Sequence, residues 1–154
     1  MAYGSALGVA AHVPRFANES HRFDNTTTPT LAQVDEWREQ ISAALDVAMA
    51  AAALPAPATN TAVVDMLAGF VNGNAAWLAE SVNGQGRFQE RPATTTEILA
   101  AIQSAASSFV TANARGMGAI AGVASGGVAA GAGAWLSHRV DDYSYYPPNG
   151  EYGR

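Results

Sequence analysis

One stretch, from Thr28 to Leu54, constrains the fold more than any other, because it is the longest uninterrupted helical pattern in the chain. Thr30 and Gln33 form a predicted capping box at its start, and Pro55 ends it. Its apolar residues recur at the spacing of one helix face, and they are Leu31, Val34, Trp37 or Arg38, Ile41, Leu45, Ala48 and Ala52. Such a helix needs partners over its apolar face, so the rest of the chain must supply them.

A short helix and a second long helix are predicted on either side of this stretch. The short one covers residues 5–12 and ends before Val13-Pro14. The second long helix covers residues 62–82 and follows a cap at Asn60 or Thr61. The predicted inward residues are Leu7, Val9 and Ala10 in the short helix, and Val63, Leu67, Phe70, Val71, Leu78 and Val82 in the long one.

A third long helix is predicted after Pro92, where Thr94 and Glu97 form another capping box. It runs to about Asn113. Its inner face carries Ile98, Ile102, Ala105 and Phe109. Because the connections between these helices are brief, residues 1–115 are predicted to fold as an all-α domain, a small bundle of one short and three longer helices.

The composition changes at Gly116. Residues 116–137 carry no charge, and seven of the first eighteen are glycine. At about 1 kcal/mol per glycine, a helix here would be roughly 7 kcal/mol less stable than an alanine helix. Four of the five tyrosines lie between Tyr143 and Tyr152, and tyrosine supplies large contact area at low entropic cost. We therefore predict that residues 116–154 form a long, Gly-rich, extended C-terminal arm.

The composition offers little for catalysis. The chain has no cysteine and no lysine, which removes thiolate and Schiff-base chemistry. His12, His21 and His138 are far apart and show no metal-ligand spacing. Residues 116–121 superficially match a dinucleotide fingerprint, but they follow a helix rather than a strand. We predict that the chain is not an enzyme and has no catalytic, cofactor-binding or metal site.

Three segments, taken in order, resemble a known family. His12-Val13-Pro14-Arg15 ends the short helix, Thr28–Trp37 opens the first long helix, and Asp141–Tyr145 lies in the tail. This order is similar to that of the head–tail adaptor proteins of long-tailed bacteriophages, also called head-completion or connector proteins. The Gly/Ala run from Gly116 to Ala134 departs from the family pattern, so the path of the arm stays open.

The resemblance implies a structural role in the neck of a virion. Such adaptors form a ring, typically of twelve copies, beneath the portal protein at the unique capsid vertex. They extend the DNA channel and give the tail-side proteins, a neck or stopper protein or the tail terminator, a docking surface. The chain would then be found in the host cytoplasm during assembly and at the portal vertex afterwards.

The resemblance also implies which parts of the chain make contacts. The bundle packs side by side with neighbouring copies, and the arm reaches the portal and neighbouring subunits. The residues assigned to these arm contacts are Trp135, Tyr143, Ser144, Tyr145 and Tyr146. Genomic DNA would pass through without specific binding, and the net charge of −5 suits this because a negative subunit repels phosphate.

A membrane-associated helical protein is the main alternative. Residues 116–136 are 21 residues long, enough to span a bilayer, and pairs such as Gly118 and Gly122 have the spacing of packed transmembrane helices. Few of these residues are large and apolar, which is a weak insertion signal, so we predict no membrane. A soluble helical scaffold or a secreted factor is a third possibility, although no basic segment precedes an apolar run at the N-terminus, so no signal peptide is predicted.

Overall fold

The structure, a computed structural model, describes residues 2–88 and 90–122. Its elements are α1 (Ala6–His12), a 3₁₀ turn (Pro14–Phe16), α2 (Leu31–Ala51), α3 (Thr61–Val82), β1 (Arg87–Phe88), β2 (Arg91–Pro92) and α4 (Thr95–Ile120). The predicted all-α bundle of one short and three longer helices is confirmed. The predicted arm lies outside the described residues from position 123 onward.

Local capping signals set the start of every α-helix. Ser5 accepts a hydrogen bond from the Gly8 amide at the start of α1 (2.9 Å). The capping boxes predicted for α2 and α4 are both present, with Thr30 and Thr94 as their N-cap residues. Asn60, one of the two predicted caps, accepts from the amides of the first turn of α3. Each cap satisfies backbone donors that a helix N-terminus leaves without intrahelical partners.

The three long helices contact one another in all three pairings, and α1 packs on α3 and α2. Met49 of α2 and Met117 of α4 line the same crevice together with Val63 of α3. The C-terminal parts of α2 and α4 and the first turn of α3 therefore meet at one end of the bundle. The long helices run up, down and up, as short connections require.

The core lies between these helices and is built mainly from the faces that the sequence predicted. Ile41 and Leu45 of α2 and Trp77 of α3 are fully buried. The rings of Phe70 and Phe109 pack with their centroids 4.6 Å apart. Burial of each large apolar side chain contributes about 1.5–3 kcal/mol, so these contacts hold the body together.

A short antiparallel hairpin, which the sequence reading did not predict, connects α3 to α4. Its two strands pair Arg87 with Pro92 and Phe88 with Arg91. Trp77 holds it to the body, because its indole N–H donates to the Arg87 carbonyl (2.9 Å) and its ring stacks on Phe88. A strand of only two residues is too short to show the alternation of apolar and polar residues by which strands are predicted from a sequence.

The predicted end of α4 near Asn113 is wrong, because the helix continues to Ile120. Gly116, Met117 and Gly118 are buried within it. The glycines do weaken a free helix, but here burial of the Met117 side chain against the body supplies the missing stability. The described chain then leaves the helix at Gly122, whose φ of +76° favours glycine.

Three side chains predicted to face inward are exposed instead. Leu7 is 56% exposed, Leu31 37% and Val82 36%. Leu31 is the first residue of α2 and Val82 the last of α3, so both lie where the neighbouring helices no longer cover the face. On the short α1, Val9 and Ala10 alone make the buried contact, which turns Leu7 to solvent.

Candidate interaction surface

The predicted contact residues lie outside the described part of the chain, and the structure does not place any of them. These are Trp135, Tyr143, Ser144, Tyr145 and Tyr146. The structure does place residues 120–122, at the C-terminal end of α4. The Ile120 carbonyl accepts a hydrogen bond from the Asn60 side chain (3.3 Å), which ties the end of α4 to the start of α3.

A small apolar crevice opens at this same end of the bundle. Met49, Leu54, Met117 and Ala121 are among its lining residues. Its volume of about 60 Å³ is far below the 300–1,000 Å³ of a typical ligand pocket. The crevice therefore has room for one small side chain rather than for a bound small molecule.

A larger open groove lies between α2 and α4 on the outside of the body, and we call it the α2/α4 groove. Its residues include Gln40, Ala44, Val47 and Ala51 from α2, and Gln103 and Ser107 from α4. Val47 is 72% exposed, the largest exposure of any large apolar side chain in the described residues. An open apolar groove of this kind is more typical of a contact with another chain segment than of a small-molecule site.

The α2/α4 groove is also without charge. From Ile98 to Ala114, α4 carries no charged residue. In the second half of α2 the one charged residue is Asp46, which accepts a hydrogen bond from the Tyr3 hydroxyl and does not line the groove. A signal for this surface was present in the sequence, since Val47 is two residues from both Leu45 and Met49 and so must point away from the core.

The other side of α2 is covered by the N-terminal segment through a set of polar contacts that we call the Tyr3 network. The Tyr3 amide donates to the Ser42 hydroxyl (2.9 Å). The Tyr3 hydroxyl donates to Asp46 and accepts from the Ala58 amide (2.9 Å). Burial and the Asp46 carboxylate raise the pKa of Tyr3 to about 12. Sequence reasoning missed this network, because no periodic pattern marks it.

The N-terminal segment also approaches α3 unusually closely. The side-chain oxygen of Asn72 accepts from the Ser5 amide (3.1 Å). A Cβ atom built on Gly4 or Gly8 would lie 2.2 or 2.3 Å from the Asn72 side chain. Glycine at both positions is therefore what allows α1 to lie directly on α3.

The polar loop between α1 and α2 is organised around Asp24. Its carboxylate accepts hydrogen bonds from the side chains of Thr26 and Asn18 and from the amides of Thr26 and Thr27. These bonds, that of the Thr26 side chain first, lower the pKa of Asp24 to about 2. Their contribution to stability is present above the ordinary carboxyl pKa and is lost as the pH falls towards 2.

No group of three or more His, Asp or Glu side chains suited to a metal ion occurs within residues 2–88 and 90–122. His12 is the last residue of α1, as predicted, and His21 lies in the polar loop. Residues 116–121 superficially matched a dinucleotide fingerprint; they form the C-terminal end of α4 and its C-cap residue, Ala121. His138 lies outside the described residues.

In the described part of the chain, α3 is long and apolar enough to cross a membrane by length and composition. Two thirds of its apolar window is buried inside the bundle (67%), as in the core helix of a soluble protein. The alternative span predicted for residues 116–136 begins inside α4, where Gly116, Met117 and Gly118 belong to the buried core. Such a span would have to withdraw these residues from the body.

The described residues thus form a helical body with an uncharged groove on its outside. Comparison with protein-family models, with curated proteins and with solved structures finds no match.

Proposed function

We propose that this chain is a non-enzymatic structural subunit of a phage neck, a ring-forming head-to-tail adaptor. In this role it docks beneath the portal protein, extends the DNA channel and offers a surface to the tail-side proteins. The observation that carries the proposal is the way the arm is anchored. The arm continues from α4, a helix that runs through the core of the body.

The anchor is strong because α4 is held along its whole length. Ile98, Ile102 and Met117 are all fully buried, at both ends of the helix. Pulling the arm away from the body would therefore have to disrupt core packing, and not merely a surface contact. The 32 residues after Gly122 reach at most about 110 Å when fully extended, which is long enough for contact with another ring.

Two of the segments that carry the family resemblance lie together at the C-terminal end of α3. Arg15, from the first segment, pairs with Glu80 at 3.7 Å. The Thr28 carbonyl, from the second, accepts from the Asn83 side chain (2.8 Å). This supports the proposal because the resembling residues belong to one structural unit and are not scattered matches.

Surface charge supports a channel subunit as well. Glu36, Glu39 and Asp65 project exposed carboxylates from the long helices. Arg38, between the two glutamates, is mostly buried and donates to Asp35 and to the Gly4 carbonyl. Acidic side chains thus dominate the outer face of the first half of α2, which would repel passing DNA rather than retain it.

Co-sedimentation with isolated portal rings of the same virus, without detergent, tests the proposal. The full-length chain should sediment with the rings, whereas the double variant Tyr143→Ala, Tyr145→Ala should lose binding, because both assigned tyrosines are removed. Tyr152→Ala is the matched control, since it removes a tyrosine of the arm that carries no assignment. Native mass spectrometry of the complex would give the copy number.

Two results would contradict the proposal. One is a full-length chain that stays in the supernatant with portal rings present. The other is a chain recovered only in the membrane fraction and released by detergent, which would favour the membrane-associated alternative.

A further inference from the structure

Asparagine followed by glycine is the dipeptide that loses its side-chain amide most readily, because glycine places no side chain in the way of ring closure. The chain has three such pairs, Asn72-Gly73, Asn83-Gly84 and Asn149-Gly150. The first lies inside α3 and the second at its C-terminal end, whereas the third lies outside the described residues. The two described pairs therefore present the same chemistry in different environments.

Loss of the amide needs only water as co-reactant. The glycine amide nitrogen loses its proton to hydroxide and attacks the side-chain carbonyl carbon of the asparagine, and ammonia leaves with a proton taken from water. One water molecule then hydrolyses the five-membered succinimide at either of its carbonyls. The products are aspartate and isoaspartate, so the net change is amide plus water to carboxylate plus ammonium.

The folded body closes Asn72 to this reaction. Gly73 is buried in the middle of α3, where its amide belongs to the helical ladder. The Asn72 side chain accepts from the Ser5 amide and lies against Gly4 and Gly8 of the N-terminal segment. Reaction here would require α3 to unwind at its centre and α1 to leave it, which is close to unfolding of the whole body.

Asn83 lies where α3 ends, and three hydrogen bonds hold its reacting groups in place. Its side-chain nitrogen donates to the Thr28 and Ala79 carbonyls, both at 2.8 Å. The attacking group, the Gly84 amide, donates to the Ser81 carbonyl (3.1 Å). Gly84 is exposed, and a Cβ atom built on it would meet nothing within 4 Å, so water reaches the pair. Rotation of the Asn83 side chain and of the backbone after it breaks these bonds and leaves the core side chains in place.

We propose that Asn83 is a modification site, which deamidates in the folded chain through local opening of the end of α3. Three hydrogen bonds of ordinary net strength slow the reaction on the order of a hundredfold relative to an unstructured peptide. The product also changes the structure, because a carboxylate at position 83 offers only acceptors to the Thr28 and Ala79 carbonyls and repels both. The loop before α2 then loses this tie to α3. The proposal is independent of the proposed function.

Peptide mapping by mass spectrometry tests the proposal on the purified full-length chain, incubated in mildly alkaline buffer. Mapping distinguishes the three Asn-Gly pairs, which the mass of the intact chain does not. The reference is a synthetic peptide of residues 79–86, which has the same dipeptide and is too short to hold a helix. We expect Asn83 in the chain to convert about a hundredfold more slowly than in the peptide. Asn72 should remain unconverted over the same period.

Three results would overturn the proposal. Conversion of Asn83 at the rate of the peptide would mean that the three contacts give no protection. Equal conversion of Asn72 and Asn83 would mean that the reaction passes through global unfolding. The third is an Asn83 that shows no conversion after about a hundred half-lives of the peptide.

The structural consequence is tested with Asn83→Asp, which carries the aspartate that deamidation produces. Gln85→Glu is the matched control, because it adds the same charge at an exposed residue two positions away. Hydrogen exchange of the Leu31 amide, which donates to the Asp24 carbonyl in the loop, should become about tenfold faster in Asn83→Asp. It should stay unchanged in the control. Unchanged exchange in both variants would overturn the role assigned to the contact with Thr28.

Discussion

The two sides of α2 differ in how they contact the rest of the chain. One side is covered by the N-terminal segment, which Tyr3 fixes through its amide and its hydroxyl to Ser42, Asp46 and Ala58. The other side, around Val47, presents small uncharged side chains and remains open in the described body. Directional hydrogen bonds between buried groups admit a single arrangement, whereas a smooth apolar groove admits any segment that carries no charge.

The two kinds of contact differ in what it costs to break them. Removing a partner from the Tyr3 network would leave buried polar groups unsatisfied, which is costly. Emptying the α2/α4 groove would expose only apolar surface and would leave no polar group stranded. Contacts of the second kind can therefore be made and broken without stranding buried polar groups.

The largest expected effect comes from breaking the Tyr3 network. Tyr3→Ala should lower the free energy of unfolding by about 3–5 kcal/mol, because it removes a large buried ring and leaves polar partners unpaired. Tyr3→Phe keeps the ring and should cost only about 1–2 kcal/mol. Urea denaturation followed by circular dichroism measures both. Equal losses in the two variants would show that the ring contributes nothing beyond the hydroxyl.

The close approach of α1 to α3 gives the next largest effect. Gly8→Ala should destabilise by about 2 kcal/mol, because the new methyl group would force the Asn72 side chain off the Ser5 amide. In an Asn72→Ala background the obstacle is gone. There the same change should stabilise by up to about 1 kcal/mol, since alanine is the better helix former. The same penalty in both backgrounds would contradict the assigned contact.

A pH titration tests the Tyr3 network without a large structural change. Because the pKa of Tyr3 is raised to about 12 in the folded state, against an ordinary 10, stability is complete below pH 10. It should fall by up to about 2 kcal/mol as the pH rises from 10 to 12. The chain has no lysine or cysteine, and its other tyrosines lie in the arm, so few groups compete in this window. Tyr3→Phe should remove this fall, and a fall of the same size in that variant would assign it to other groups.

The smallest effect is expected on the open side of α2. Val47→Ser should change the free energy of unfolding by less than about 0.5 kcal/mol, because the side chain is 72% exposed. Leu45→Ala, two residues away but fully buried, should cost about 2–5 kcal/mol and serves as the reference. Chemical denaturation measures both. A large loss at Val47 would mean that the groove is part of the folding core.

Most of the body could be predicted because its signals are local. The capping boxes at Thr30 and Thr94 set where α2 and α4 begin, and both depend on residues only three apart. The spacing of apolar residues gave the inner faces of the long helices. It failed at Leu31 and Val82, at helix termini, where coverage depends on how far the neighbouring helices extend.

Only part of the candidate surface could be predicted from the sequence. Val47 could have been found as an apolar residue on the polar side of α2. The groove itself could not, because its second wall comes from Gln103 and Ser107 on a helix some sixty residues later in the chain. The contact residues predicted in the arm remain predictions.

By itself, the sequence determined where helices start, which faces they bury and that an uncharged segment follows the body. These properties depend on neighbours within one or two helical turns, so composition and spacing are sufficient. Only the tertiary structure decided that α4 continues through Gly116 and Gly118 to Ile120, and that Tyr3 closes one side of α2. Those outcomes depend on burial against distant parts of the chain, which outweighs local helix propensity.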